Sequence, residues 1–271
     1  MPRLISLALA LVMLGAAGNA TPGGWATPAE PAAVQDYVIH GFPPGIAPEV
    51  TALGTLGDVV ALQPGEAVLL TLGVYDYEIC GVSIRCFIPA DVAATWSVSP
   101  DDGATINLAT GLLTIDTDVP SGSEFAVTAE VDDGQHVVTT EVYVYTPEGN
   151  PFVGFWREAA QLACDDGAEI VPESGIEEMI FAADGSFAVT WQPFESYVDY
   201  WGTYTFDLDV GTVELTVADG NHVPDDVDGQ GRFAVDGAGN LVLSDLWLGT
   251  SHSSDDPPAC GHRFARPGRD A

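Results

Sequence analysis

From Val59 onward, apolar and polar residues alternate in short runs rich in Val, Thr, Tyr and Leu, and Gly, Pro, Asp or Asn interrupt the runs. A period of two is the side-chain period of a strand with one buried face, and the interrupting residues are those of tight turns. Phe125, Val127, Ala129 and Val131 form one such apolar face. Residues 137–145 form another alternating run, residues 67–72 begin after a Pro64-Gly65 turn, and WSVS at 96–99 is a short strand. No stretch carries the 3.6-residue period of a long amphipathic helix, so the pattern predicts an all-β chain.

A second block opens with Gly154-Phe155-Trp156 and continues through runs at 179–182, 187–191, 200–206, 213–217, 232–235, 241–248 and 262–265. Asp184-Gly185 and Ala238-Gly239-Asn240 are hairpin turns between such runs. Eight or nine strands so joined predict a meander closed into a small antiparallel barrel, which leaves no open edges. The first block, with about seven short strands, predicts a β-sandwich. Pro147-Glu148-Gly149-Asn150-Pro151 marks the boundary between them.

Ahead of these blocks, residues 21–47 are rich in Pro, Ala and Gly and read as a linker. Residues 1–20 read as a signal peptide: Arg3, an apolar run at 4–14, then AAGNA with cleavage after Ala20. That run falls short of the about 20 residues a membrane span needs, so the expected product is not an integral membrane protein. The expected division is signal peptide 1–20, linker 21–47, sandwich 48–147 and barrel 151–271. The expected place is outside the cytoplasm of a bacterium: secreted, periplasmic or on the cell surface.

Charge changes the picture of partners. Seven Arg and no Lys stand against 40 Asp plus Glu, a formal net charge of −33. Phosphate binding needs clustered cations, and the arginines here are scattered, so nucleic acid is excluded and anionic membranes are disfavoured. Such a charge strains the compact state unless salt screens it, which fits a saline habitat as well as it fits genome drift. Four cysteines in an exported chain predict disulfides. Of the three pairings, Cys80 with Cys86 and Cys164 with Cys260 is the one that respects the proposed boundary.

The first block also resembles a family. QPGEAVLLTLGVYD, ATWSVSPDDGATINLATGLLTI and FAVTAEVDDGQHVVTTEVYVY, in this order over residues 56–146, resemble the group-2 bacterial immunoglobulin-like domains. The segment at 78–90, holding Cys80 and Cys86, is longer than that pattern. The resemblance implies an immunoglobulin-like sandwich of the sort that serves as a spacer in adhesins. The second block, with its Gly-x-Trp opening and the MIFAADGSFAV hairpin, resembles small bacterial lipocalin or calycin barrels over 151–266. That resemblance implies an arginine of the last strand covering the opening tryptophan, and Arg263 is the residue placed to cover Trp156. Cys164 and Cys260 would pin the same two regions.

Candidate chemistry is sparse. Ser251-His252-Ser253 is the nearest approach to a nucleophile beside a base, and it lacks the strained Gly-x-Ser-x-Gly turn that exposes a serine nucleophile. Carboxylates such as Glu195 and Asp199 define the rival reading, an extracellular hydrolase. Asp219, Asn221, Asp225, Asp226 and Asp228 cluster oxygen ligands suited to calcium, although Val223 interrupts the EF-hand order. Six aromatics lie between Trp191 and Tyr204; Trp191, Tyr197 and Tyr200 are the candidate ligand-pocket residues, with Trp201 or Tyr204 assigned to the core. The overall expectation is an exported, non-enzymatic protein whose spacer presents a barrel to a small apolar molecule or an extracellular polymer. A purely structural module with a filled barrel is the other alternative.

Overall fold

The computed structural model describes residues 37–42, 51–52, 60–76, 86–193, 197–251 and 259–267, and every regular element among them is a strand. Ten strands belong to the first half: β1 (Val38–Phe42), β2 (Thr51–Ala52), β3 (Val60–Leu62), β4 (Ala67–Asp76), β5 (Cys86–Pro89), β6 (Ala94–Ser99), β7 (Ala104–Ile106), β8 (Leu112–Ile115), β9 (Glu124–Val131) and β10 (His136–Val144). They form one sheet in the order β2-β5-β4-β8-β7 with β1 also paired to β4, and a second in the order β3-β10-β9-β6, where β3 runs parallel to β10.

One apolar cluster draws on both sheets: Leu70, Leu72, Leu113 and Ile115 from the first, Trp96, Phe125, Val127, Ala129 and Val142 from the second. The alternation at 125–131 is therefore the buried face of β9. The Thr110-Gly111 turn has a double cause. Gly111 has φ +72°, and a Cβ there would lie 2.6 Å from the Leu70 carbonyl and 2.8 Å from the Trp96 ring. Neither the conformation nor the space admits another residue.

One part of the expected linker is instead structured. Residues 38–42 pair antiparallel with β4, from Val38 opposite Gly73 to Phe42 opposite Leu69. Ile39 is buried in the first core. Pairing with a long neighbour orders a five-residue strand whose own pattern is too short to stand out among its Pro- and Gly-rich flanks.

The second half contains β11 (Gly154–Leu162), β12 (Glu169–Ile170), β13 (Glu178–Phe181), β14 (Ser186–Thr190), β15 (Tyr200–Asp207), β16 (Thr212–Gly220), β17 (Gln230–Val235), β18 (Leu241–Ser244) and β19 (Gly261–Ala265). Each strand from β13 to β19 pairs with the next, β13 pairs back to β11, and β19 also returns to β11, with Arg157 opposite Ala265 and Glu158 opposite Phe264. The pairing closes into a ring, with β12 attached to the side of β11. Closure follows from sequence-local hairpins plus one long-range pairing.

The interior of the ring is packed with its own side chains. Trp156, Met179, Phe181, Phe187, Val189, Trp191, Tyr200, Tyr204, Leu215, Leu241, Leu243 and Phe264 are all buried in one cluster. Strand parity dictates this set: Tyr200, Gly202 and Tyr204 face inward while Trp201, Thr203 and Thr205 face out. Aromatic rings also fill the space beneath the 150–154 segment, where Phe152 lies 4.7 Å from Phe233 and 5.1 Å from Phe181, centroid to centroid.

This end of the ring is closed by a tryptophan and an arginine. Trp156 Nε1 donates to the Phe152 carbonyl at 2.6 Å, and the Arg266 guanidinium lies 4.2 Å from the Trp156 ring centroid. Arg266 also donates to the Val153 carbonyl at 3.0 Å. The expected partner, Arg263, points the other way and pairs with Glu169 at 2.6 Å and Asp236 at 3.5 Å. Parity explains the correction: His262 and Phe264 of β19 face inward, so the next inward position is 266, and 263 must face out. Arg266→Ala is expected to cost about 1–3 kcal/mol through the lost cation–π contact and hydrogen bond, whereas Arg263→Ala should cost under about 1 kcal/mol. Denaturant unfolding of the two variants checks the ranking.

Tyr204 closes the same end. Its hydroxyl donates to the Ala182 carbonyl at 2.8 Å and accepts from Asn150 Nδ2 at 2.9 Å. Burial pushes the phenol up to about 12; the Asn150 bond opposes that shift and the Asp184 charge adds to it. A phenol whose folded value lies above its unfolded value near 10 contributes stability that is whole below about pH 10 and is lost as pH rises toward 12. Melting temperature is therefore expected to fall between about pH 10 and 12. In Tyr204→Phe that alkaline slope should flatten, while stability at neutral pH drops by about 1–2 kcal/mol.

Candidate functional site at the loop-bearing end

The two ends of the ring differ. In the antiparallel meander, the connections at 182–186, 207–212 and 235–241 fall at the Trp156 end and are tight turns, whereas those at 162–178, 190–200, 220–230 and 244–261 fall at the opposite end and are long. Recognition residues concentrate on long loops held by a rigid scaffold, so the second end is the candidate site.

Beneath these loops lies a buried polar network. Glu158 faces inward because it shares the parity of Trp156 on β11. His262 faces inward from β19, and its Nδ1 lies 2.6 Å from Glu158 Oε1, with both side chains almost wholly buried. His262 Nε2 accepts the Leu248 N–H at 3.0 Å, which places the ring proton on Nδ1 and makes it the donor to Glu158. The second Glu158 oxygen accepts the Ile176 N–H at 2.9 Å. The Leu248 carbonyl accepts the Tyr200 hydroxyl at 2.6 Å. Trp247 stacks on the imidazole at 4.7 Å with an interplanar angle of 9°. The network ties β11, β15 and β19 to the 244–261 connection. Both imidazole nitrogens are engaged, so His262 is held as a structural link.

Asp199 lies at the head of β15 in the same end. It is 1% exposed. Its Oδ2 accepts the Trp191 N–H at 2.8 Å, its carbonyl accepts the His222 N–H at 2.9 Å, and Oδ1 accepts no hydrogen bond among the described residues. Asn221 donates to the Val198 carbonyl at 2.7 Å, folding the 220–223 turn onto this strand.

The expected pocket residues separate. Trp191 is 2% and Tyr200 0% exposed, with ring centroids 5.9 Å apart, so both belong to the core. Burial first, then the Asp199 and Asp226 charges, raise the Tyr200 phenol well above its ordinary value. Tyr197 alone is accessible, at 39% exposure, and its phenol is raised by partial burial first, then by the Asp199 charge and by the hydrogen bond it donates to the Asp199 carboxylate. Glu195, His252 and Ser253 lie outside the described residues. Ser251 is buried and accepts from the Ser174 hydroxyl at 3.3 Å.

The acidic loop read as a calcium candidate is largely engaged in holding its neighbours. Asp226 accepts from Thr250 N–H at 3.0 Å, from the Thr250 hydroxyl at 2.6 Å and from Trp247 Nε1 at 3.1 Å. Burial opposes ionisation there, yet these hydrogen bonds prevail and lower the Asp226 pKa. Asp219 accepts the Gly220 N–H and Asp228 the Gln230 N–H. Asp225 is exposed. Among the described residues, no three of His, Cys, Asp and Glu are grouped to hold a metal ion.

Cys164 and Cys260 form a disulfide that ties the turn after β11 to the segment before β19. This bond is compatible with an exported protein. Cys80 and the side chain of Cys86 lie outside the described residues. No helix among the described residues is long and apolar enough to cross a membrane. Surface clefts occur elsewhere: one of about 410 Å³ beside Thr205, Asp207, Thr212 and Gln230, and one of about 760 Å³ beside Asp91, Glu130, Asp132 and Asp133.

Sequence reading missed Glu158 and His262 as a pair. The available signal was parity: each sits two residues from an inward aromatic, Trp156 or Phe264, on a strand with a buried face. Compared with known proteins, the chain matches no family model and no curated sequence. Fold and site define an all-β, disulfide-bonded protein with one loop-rich end.

Proposed function

We propose that the chain is an exported, non-enzymatic binding protein of a bacterial surface or its surroundings. The two-sheet half acts as a spacer and the ring presents its loop-bearing end to an extracellular polymer or small molecule. The observation that carries this reading is the contrast between a ring interior filled by its own aromatics and a single end bearing all the long connections. A filled ring directs binding to its rim instead of its interior. Strand orders β1-β4-β8-β7 and β6-β9-β10 correspond to the A-B-E-D and C-F-G sheets of an immunoglobulin-like sandwich, which supports the spacer reading. The Trp156–Arg266 closure supports kinship of the ring with calycin barrels.

The packed interior also favours a second reading, a module that only builds structure. Titrating the mature protein against immobilised polysaccharides and a panel of apolar fluorophores separates the two. Rim binding is expected as saturable polymer retention that Tyr197→Ala and Val223→Asp weaken together, with no saturable fluorophore uptake. Saturable fluorophore uptake would move the site inside the ring, and no binding at all would leave the structural module.

A further inference from the structure

We propose that Asp199 Oδ1 anchors a binding site for a primary alkylammonium group at the loop-bearing end. The inference rests on the reading of that end as the binding face and names the chemistry recognised there. A carboxylate removed from water normally meets several donors or a cation, because its desolvation costs several kcal/mol. Asp199 meets the Trp191 N–H at Oδ2 and the exposed Tyr197 hydroxyl, and its Oδ1 is enclosed without a close hydrogen bond among the described residues. Trp191 needs only an acceptor, which asparagine would supply without a charge.

The chain contains no lysine and so offers this oxygen no side-chain ammonium. Arg157 pairs with Glu177, Arg263 with Glu169 and Asp236, and Arg266 covers Trp156 at the opposite end. The Tyr197 hydroxyl hydrogen-bonds to the Asp199 carboxylate, and after partial burial the Asp199 charge and that bond raise the phenol's pKa. Tyr197 is 39% exposed, so its side chain can give way to a ligand without unpacking the core.

The ligand class follows from what the site leaves over. Guanidinium binds carboxylate best through two parallel bonds, but Asp199 Oδ2 is already committed, so only a single-point donor is well matched. A divalent metal would need further ligands, and no group of three lies among the described residues. Neutral donors would leave the charge uncompensated. An ammonium on an unbranched chain satisfies both demands, and the formal charge of −33 raises the local concentration of any cation.

The test is calorimetric titration at fixed ionic strength with propylammonium, 1,4-diaminobutane and Nα-acetyl-lysine amide, against tetramethylammonium, which carries a charge and no N–H. Saturable binding of the N–H-bearing cations over tetramethylammonium is expected, weakened about tenfold or more in Asp199→Asn and retained or strengthened in Tyr197→Phe. Preference for the diamine or for the lysine amide tells a free polyamine from a lysine side chain as the source. Equal responses to all cations, or binding unchanged in Asp199→Asn, overturn the proposal. Should Asp199→Asn not fold, the comparison of cations on the unaltered protein decides. Polymer retention lost in Val223→Asp but kept in Asp199→Asn would overturn the anchor and leave the rim reading in place.

Discussion

Replacing Cys164 and Cys260 together with serine is expected to lower the unfolding free energy by about 4–5 kcal/mol. The bridge spans 96 residues, and a loop of that length confines the unfolded chain by about that amount in the chain-entropy treatment. The folded ring should survive, because β11 and β19 remain hydrogen-bonded beside the bridge and Trp156 and Phe264 stay packed. Most of the effect should therefore appear as a lower denaturant midpoint with little change in the circular dichroism of the native state. Adding a reductant to the unaltered protein should move its midpoint the same way. A loss below about 1 kcal/mol would mean that the unfolded chain already holds these segments together.

Glu158→Ala is the second large effect, with an expected loss of about 3–5 kcal/mol. Removing the carboxylate leaves two buried donors, His262 Nδ1–H and Ile176 N–H, without acceptors. The damage should spread along the network. His262 would turn, the Leu248 N–H would lose its acceptor, and amide exchange at Leu248 should accelerate more than at Leu215 on the far wall. A cycle of Glu158→Ala, His262→Ala and the double variant should return a coupling of about 1–3 kcal/mol. Additive losses would mean that the two side chains are only neighbours in a core.

How much of this was legible before folding depended on the length scale. The Phe125–Val131 alternation, the Pro64-Gly65 turn and the Asp184-Gly185 hairpin are local and were read where they occur. The Cys164–Cys260 pair was reached by respecting a boundary between blocks, and the folded chain forms it. Arg266 was missed because the choice between 263 and 266 depends on which face of β19 points inward. Trp191 and Tyr200 read as a platform because their density in the sequence is high, yet Tyr200 packs on Phe187 and donates to the Leu248 carbonyl, Trp191 packs on Tyr200, and both lie in the core. The acidic loop read as ion ligands because charge is visible in a sequence, while the donors that engage it, Thr250 and Trp247, lie on another loop.

The sequence by itself therefore determined the all-β class, the strand alternation, the turn positions and the strongly anionic character, all of which depend on residues within a few positions of one another. Tertiary structure decided the return of β19 to β11, the filling of the ring, the Glu158–His262 link and the isolation of Asp199 Oδ1. The physical reason is that period two tells only that a strand has two faces. Which face is inner, and which distant polar group meets another there, is settled when the ring closes and every buried donor and acceptor must find a partner or go without.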